Sequence, residues 1–347
     1  MGPTAEPPLH VVAGTHSDGL VPLGSECRFD VHGLTPDTEV RPFLAQQNVV
    51  NLRPLGEWAV SHRLLLRPES PGHYVLALVW RRKNGAHGRI DHPFEVVLDT
   101  PLRDGPCLVR LDDATEMWAP SEWEGGLLRG SEQSVFDRLT TIVKPGWVIY
   151  DIGASLGLYS VRLARAVGAS GHVYSIEASP LALYFLRSNV ELNHIANCSI
   201  LPVALSNDTG RCGFVVNYGN VNLGLTERSP WCGSKLGHEL WVEASPLDSM
   251  TEKLALRPPN LLKVDVEGAE QFVLSGALDT IRQSLPTLLV EVHGRAAAEG
   301  TFEVLGRLPY RYAEASAGTT FVRATEMARS FPDAVRQVLA VPLVDGA

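Results

Sequence analysis

The sequence has no long hydrophobic run: its apolar residues never extend to the roughly 18 in a row that a helix needs to cross a bilayer. A membrane span is therefore excluded. Cysteine is scarce, with five in 347 residues (Cys27, Cys107, Cys198, Cys212 and Cys232), odd in number and without C-x-x-C spacing. This argues against a disulfide framework or a zinc site and fits a reducing cytosol. There is no basic excess either. The 30 Lys and Arg face 39 Asp and Glu, a formal charge of −9, which argues against a nucleic acid held by its phosphates. Met1 to Pro8 is proline-rich and lacks the apolar stretch of a secretory leader. No internal repeat is present. The expectation is a cytoplasmic protein with a small-molecule partner, no nucleic acid and no membrane.

At 45% hydrophobic, the chain can bury large cores, and its length suggests two domains. Short apolar or alternating runs fill the first part: Leu9 to Ala13, Cys27 to Val31, Val40 to Leu44, His62 to Leu66, Tyr74 to Trp80 and Phe94 to Leu98. Turn clusters such as Thr35-Pro36-Asp37 and Lys83-Asn84-Gly85 separate them, the pattern of a small all-β sandwich. The stretch Pro71 to Trp80 resembles a late strand of an immunoglobulin-like or fibronectin-like module. Trp58 and Trp80 read as core aromatics rather than a carbohydrate-stacking surface. Thr100 to Pro106 reads as a linker, so residues 1–104 form the accessory domain and 105–347 the second. The first domain positions a large acceptor or forms a homo-oligomer contact; the sequence does not choose between them.

The second domain alternates strand and helix, which implies a mostly parallel sheet covered on both faces. Its first unit is Val148 to Ser160. Apolar β-formers from Val148 lead through Gly153 and Gly157 into a helix whose Tyr159, Leu163, Ala166 and Val167 share one face. Such a turn brings backbone N–H groups against a ligand. A dinucleotide fingerprint would be G-x-G-x-x-G, but here Ser155 holds the middle glycine's place. Asp151 inside the turn would repel a pyrophosphate. The arrangement suits a ligand with a cationic amino group and no phosphate, such as S-adenosylmethionine. Glu177 ends the next apolar strand, His172 to Ile176, where an acid bonds ribose hydroxyls. An NAD-dependent oxidoreductase fails on the missing glycine and on Asp151.

Further strands are expected at Ser199 to Ala204, Leu261 to Val266 and Thr287 to Val292. A hairpin with a long loop, Tyr218 to Gly237, is expected between Cys212 to Asn217 and His238 to Val242. Tyr310 to Ala313 with Thr319 to Val322 supplies a closing antiparallel pair.

Two segments join the opening motif: Lys263-Val264-Asp265-Val266-Glu267-Gly268-Ala269-Glu270 and Glu291-Val292-His293. With Lys144-Pro145-Gly146, Ile176-Glu177-Ala178-Ser179-Pro180, Ala204-Leu205-Ser206 and Pro246-Leu247-Asp248-Ser249, they make the chain from about Val109 to Val322 resemble the FkbM family of S-adenosylmethionine-dependent methyltransferases. That resemblance implies a Rossmann-like class I methyltransferase fold and an O-methyltransferase acting on a natural product or sugar. It implies that Asp151, Gly153, Ala154, Gly157, Tyr159 and Ser160 line the methionine end of the cofactor. Glu177 takes the ribose hydroxyls, Ala178 and Ser179 lie beside the adenosine, and Ala204 and Leu205 edge the adenine. The family usually has asparagine at the place of Ser155 and proline at that of Ser179.

An alcohol acceptor needs a base for its proton. Asp265 and Glu267 share one side of their strand end by period-two spacing, and His293 ends a neighbouring strand, a plausible base with a carboxylate nearby. The structural alternatives are Asp265 on the cofactor's amino group, Glu267 capping the next helix, and a buried hydrogen-bonding His293. A divalent metal on Asp265, Glu267, Glu291 and His293 is not favoured, because strand alternation alone cannot bring all four to one point. A non-catalytic scaffold with a degenerate methyltransferase fold is the competing function; the intact Asp151 and Glu177 count against it.

Overall fold

Period-two burial governs the N-terminal part, where Leu76 and Leu78 of one strand both point into the interior. In a computed structural model the chain divides into two units, Met1–Thr100 and Pro101–Ala347. The structure describes residues 10–13, 20–22, 27–32, 38–46, 53–54, 63–66, 72–83, 86–97, 106–111, 113–120, 127, 132–216, 225–226, 238–316 and 320–343. Trp58, Trp123, most of the Tyr218–Gly237 loop and most of the Thr100–Pro106 linker lie outside these residues.

The first unit holds β1 (His10–Ala13), β2 (Leu20–Pro22), β3 (Cys27–His32), β4 (Thr38–Gln46), β5 (Arg53–Pro54), β6 (Arg63–Leu66), β7 (Gly72–Arg82) and β8 (His87–Val97). They form one sheet in the order β1-β3-β6 and another in the order β2-β8-β7-β4-β5. Val31 of β3 and Leu64 of β6 pack with Val40 of β4 and with Leu78 and Trp80 of β7, so the two sheets face each other as a sandwich. Trp80 is partly buried against this core. Strand β8 begins earlier than its apolar residues suggest because it pairs along the whole of β7.

The second unit opens with the hairpin β9 (Pro106–Arg110) and β10 (Glu116–Pro120), then α1 (Gln133–Ile142). There follow β11 (Val148–Ile152), α2 (Leu158–Val167), β12 (His172–Glu177), α3 (Pro180–Leu192), β13 (Cys198–Pro202), β14 (Ala204–Leu205) and β15 (Gly210–Val216). Next come β16 (Leu225–Thr226), β17 (His238–Ser245), α4 (Leu247–Lys253), β18 (Leu261–Val264), α5 (Glu270–Ser275), α6 (Leu278–Ser284), β19 (Thr287–His293) and α7 (Gly294–Leu305). The unit closes with β20 (Tyr310–Glu314), α8 (Ala324–Ser330) and β21 (Val335–Pro342).

The main sheet has the order β13-β12-β11-β18-β19-β21-β20. The first five strands are parallel, while β21 runs antiparallel between β19 and β20. This is the Rossmann-like class I methyltransferase arrangement. Strands β11, β18 and β19 are buried on both faces, which explains their unbroken apolar runs. The expected partner of Tyr310–Ala313 is corrected. Thr319 lies outside the described residues; of residues 320–322, Val322 makes an isolated bridge to Tyr312, and β21 is the strand that pairs with β20 along its length.

The chain order of the sheet reverses between β11 and β18, which leaves a crevice at their carboxyl ends. Cys198 is a free thiol. No helix among the described residues is long and apolar enough to cross a membrane.

Candidate active site at the sheet's switch point

The turn after β11 is built on contacts that only glycine permits. Gly153 has φ +74, and a β-carbon there would stand 1.7 Å from the backbone oxygen of Asp265. Gly157, at φ +90, caps α2, and its missing side chain leaves room for Leu186 of α3. The glycines therefore hold the turn against the end of β18 and against α3.

The turn's N–H groups are not bare. Those of Gly153 and Ala154 donate to the Ile176 carbonyl at 2.9 and 3.1 Å, and that of Gly157 to Ala154 at 2.8 Å. The N–H of Ser155 donates to Glu177 Oε2 at 2.8 Å. This corrects the picture of an open N–H cradle: four of its donors are satisfied within the protein. Ser155 itself sits at φ +50, in the left-handed region that a non-glycine residue seldom adopts.

Glu177 ties two turns together. Its Oε1 accepts the N–H groups of Ala178 and Ser179 at 2.8 and 2.7 Å, while Oε2 accepts that of Ser155. Burial pushes its pKa up, against these hydrogen bonds, which pull it down. Of the roughly four lone-pair directions of a carboxylate, about one remains for a ligand.

Asp151 is 0% exposed, below the crevice floor. Its Oδ2 accepts the Ser160 hydroxyl at 2.6 Å, and Ser160 in turn accepts from Ser175 at 2.7 Å. Its Oδ1 faces Lys263 Nζ at 3.6 Å. The expectation that Asp151 and Ser160 line the cleft is thereby corrected: both are enclosed. Ser179 is also enclosed and caps α3, its hydroxyl accepting the Ala182 N–H. Ala178 packs against the small cluster of Ala204, Cys212, Val242 and Ala244 beyond β12, whereas Leu205 belongs to the central core.

On the other side of the crevice, β18 ends at Val264, so Asp265 and Glu267 lie beyond the strand. Glu267 has φ +53 and Gly268 φ +94, a turn that replaces strand alternation. It brings Glu267 Oε2 to 3.1 Å from His293 Nε2, with Asp265 Oδ1 and Glu291 Oε1 each at 3.9 Å. His293 Nδ1 donates to Glu270 Oε1 at 2.8 Å, and that oxygen also accepts the Gly268 N–H at 2.8 Å.

Burial alone would lower the pKa of His293. The hydrogen bonds with Glu267 and Glu270 outweigh it and push the imidazole up to about 11. His293 is therefore protonated near neutral pH in the ligand-free protein. This corrects the expectation of a ready base.

Several participants were missed in the sequence. Lys263, within the buried run of β18, bridges Asp265 Oδ2 at 3.1 Å and Asp151, and lies 4.8 Å from the Tyr159 ring centre. Burial disfavours its charge, but Asp265 and Asp151 more than restore it. A lysine amid buried β-formers was the available signal, because a buried ammonium must be paired. Glu270 was missed as the anchor of His293. Gln337 of β21 donates to Glu291 at 2.6 Å and to Glu132 at 3.1 Å. Burial, then Asp265 and Glu132, push the Glu291 carboxyl up to about 8.

Residues 151–339 match the methyltransferase FkbM domain family. Among curated proteins, the chain is 27% identical over 177 residues to hexuronic acid methyltransferase AglP of Haloferax volcanii, covering 49% of this chain and 66% of that one. It is 34% identical over 79 residues to ribosomal protein L11 methyltransferase of Caldanaerobacter subterraneus subsp. tengcongensis, covering 22% of this chain and 25% of that one. The chain thus spans less than two thirds of either relative. The crystal structure of methyltransferase FkbM from Methylobacillus flagellatus KT is similar at 18% identity and a TM-score of 0.37, covering 56% of this chain and 43% of that one. The family match spans more than half of the chain and includes the glycine turn, Glu177, Lys263 to Glu270 and His293. The chain belongs to the FkbM methyltransferase family.

Proposed function

We propose that this protein transfers a methyl group from S-adenosylmethionine to a hydroxyl of a small polyhydroxylated metabolite, a natural product or a sugar. The observation that carries the choice of donor is the spent turn. With the N–H groups of Gly153, Ala154, Ser155 and Gly157 satisfied internally, the turn has little to offer a phosphate. The crevice beside it carries Glu177 for hydroxyls and apolar Ala178, packed with Ala204, for a flat base. These residues fit a phosphate-free adenosine with a cationic tail.

When bound, S-adenosylmethionine supplies an electrophilic methyl on a positively charged sulfur. The protein's own task is mostly positional, because in-line displacement needs the acceptor oxygen held about 3 Å from that carbon with water excluded. Gly153 lets the turn close on the Asp265 backbone and fixes the depth of the crevice. Asp151 and Asp265, on either side of the Lys263 ammonium, carry more negative charge than it neutralises, which suits a cationic tail in the crevice. Asp265, Glu267 and Glu291 face the acceptor side, where the hydroxyl proton can pass to a carboxylate as the new C–O bond forms. A relative named for hexuronic acid supports a sugar as the acceptor.

Incubation with methyl-labelled S-adenosylmethionine and a panel of glycosides and alcohols tests this reading. Label recovered in an O-methyl product is the expected outcome. Label transferred only to amines or protein would overturn the acceptor assignment.

A further inference from the structure

We propose that Asp265, Glu267 and His293 form a site for one divalent first-row cation of the Mn²⁺ class, which fixes the acceptor's hydroxyl oxygen. The inference rests on the methyl-transfer reading above only for the purpose of the ion, not for its site.

The donor atoms converge. One oxygen from each carboxylate and one imidazole nitrogen lie within 4.8 Å of one another. Two ligands on opposite sides of an ion at about 2.1 Å stand about 4.2 Å apart, so a small contraction closes the set. Glu291 Oε1, at 3.9 Å from His293 Nε2, stands ready as a fourth oxygen. This convergence is what strand alternation could not supply. The left-handed turn at Glu267 supplies it, carrying that side chain back over the end of β19.

The histidine is also held as a ligand is held. Its Nδ1 is fixed by Glu270, a carboxylate that is 0% exposed and tied to the Gly268 N–H. Nε2 faces the other carboxylates, those of Asp265, Glu267 and Glu291. A histidine oriented through one nitrogen by a buried carboxylate, with the other aimed at oxygen ligands, is the supporting arrangement seen around metal-bound imidazoles.

The charge balance agrees. Four carboxylates (Asp151, Asp265, Glu267 and Glu270) lie against the two cations Lys263 and His293, and two of the four, Asp151 and Glu270, are fully buried. A further cation would offset that excess.

The mixed ligand set narrows the ion. Carboxylates alone would suit Mg²⁺ or Ca²⁺, while an imidazole favours a first-row transition metal. On binding, the ion takes the place of the Nε2 proton, which is released. Its positions not filled by protein would hold the acceptor oxygen and draw off its charge, one of the established roles of metals in catalysis. The site abuts the donor crevice, because the Asp265 backbone is the surface against which Gly153 packs.

The test uses the full chain after chelator treatment and dialysis. Titration with MnCl₂, followed by calorimetry and by the loss of the free Mn²⁺ electron-spin signal, is expected to show one ion per chain. MgCl₂ is expected to bind at least tenfold more weakly. Glu267→Gln, nearly isosteric, should weaken Mn²⁺ by tenfold or more, and Glu270→Gln by about 10-fold to 100-fold through loss of histidine orientation. Thermal melts in the absence of metal confirm that both variants are folded; should either fail to fold, Asp265→Asn takes its place. Failure of wild type to bind Mn²⁺, Mg²⁺ or Zn²⁺ overturns the proposal, as does Mn²⁺ binding unchanged in Glu267→Gln and Asp265→Asn. A protein that binds S-adenosylmethionine but no metal sinks this inference alone. One that binds metal but not S-adenosylmethionine sinks the donor assignment alone.

Discussion

The backbone of Gly153 packs so closely on Asp265 that a methyl group at Gly153 would stand 1.7 Å from the Asp265 carbonyl oxygen. Two loops on either side of the sheet's reversal point are thereby held in one geometry. Gly153→Ala must push them apart and also strain a backbone at φ +74. We expect loss of detectable S-adenosylmethionine binding and a stability cost of about 2 kcal/mol or more. Calorimetry and denaturant unfolding measure both. Wild-type affinity in Gly153→Ala would contradict the close packing.

Lys263 is the link between Asp151 and Asp265, and it is buried. Lys263→Met leaves the fully buried Asp151 and the partly exposed Asp265 without their shared cation, at a cost of about 3–5 kcal/mol. Adding Asp151→Asn removes one of the uncompensated charges. The double variant is therefore expected to be more stable than the sum of the two single losses predicts, by about 1 kcal/mol or more. Strict additivity in urea unfolding would mean that the two groups do not interact.

Glu177 accepts three backbone N–H groups from two turns, so its role is structural as well as ligand-binding. Glu177→Ala strands those donors and should cost about 2–4 kcal/mol along with cofactor affinity. Glu177→Gln keeps one acceptor oxygen. It is expected to recover part of the stability and little of the affinity. Full affinity in Glu177→Gln, measured by calorimetry, would argue against a ribose contact.

Away from the crevice, Arg162 is almost fully buried, stacked 4.0 Å over the Phe136 ring, and held by Asp113 at 2.5 Å. Burial would raise the pKa of Asp113, but hydrogen bonds from Arg162 and Thr115 outweigh it and hold the carboxyl below 3.8. A depressed carboxyl pKa contributes stability above the unfolded value, and that contribution is lost as pH falls through the folded one. Asp113→Asn should therefore lower the melting temperature at pH 7, with the deficit narrowing as pH falls below about 4. A deficit independent of pH would assign the effect to packing.

Much of this architecture is legible in the residues. The apolar run from Val148, the strand His172 to Ile176 and the helix beginning at Pro180 carry their boundaries in β-formers, glycine and proline. The family motif brought Asp265, Glu267 and His293 into view together. What the sequence concealed were partners. Nothing local says that the turn's N–H groups are spent on Ile176 and Glu177, or that Asp151 is sealed beneath Lys263. His293 looked like a neutral base because Glu270, its anchor, lies on a separate helix, and hydrogen bonds made across the fold fix its proton. β21 was overlooked because its place between β19 and β20 is a matter of sheet order, which no local pattern records.

The central claim is that the crevice between Gly153 and Asp265 takes a phosphate-free adenosine donor. Calorimetric titration of the protein with S-adenosylmethionine, NAD and ATP tests it most directly. The account predicts one equivalent of S-adenosylmethionine bound at micromolar concentration, with no measurable heat from NAD or ATP in the same range. Tighter binding of NAD or ATP, or no binding of S-adenosylmethionine at tens of micromolar, would contradict it.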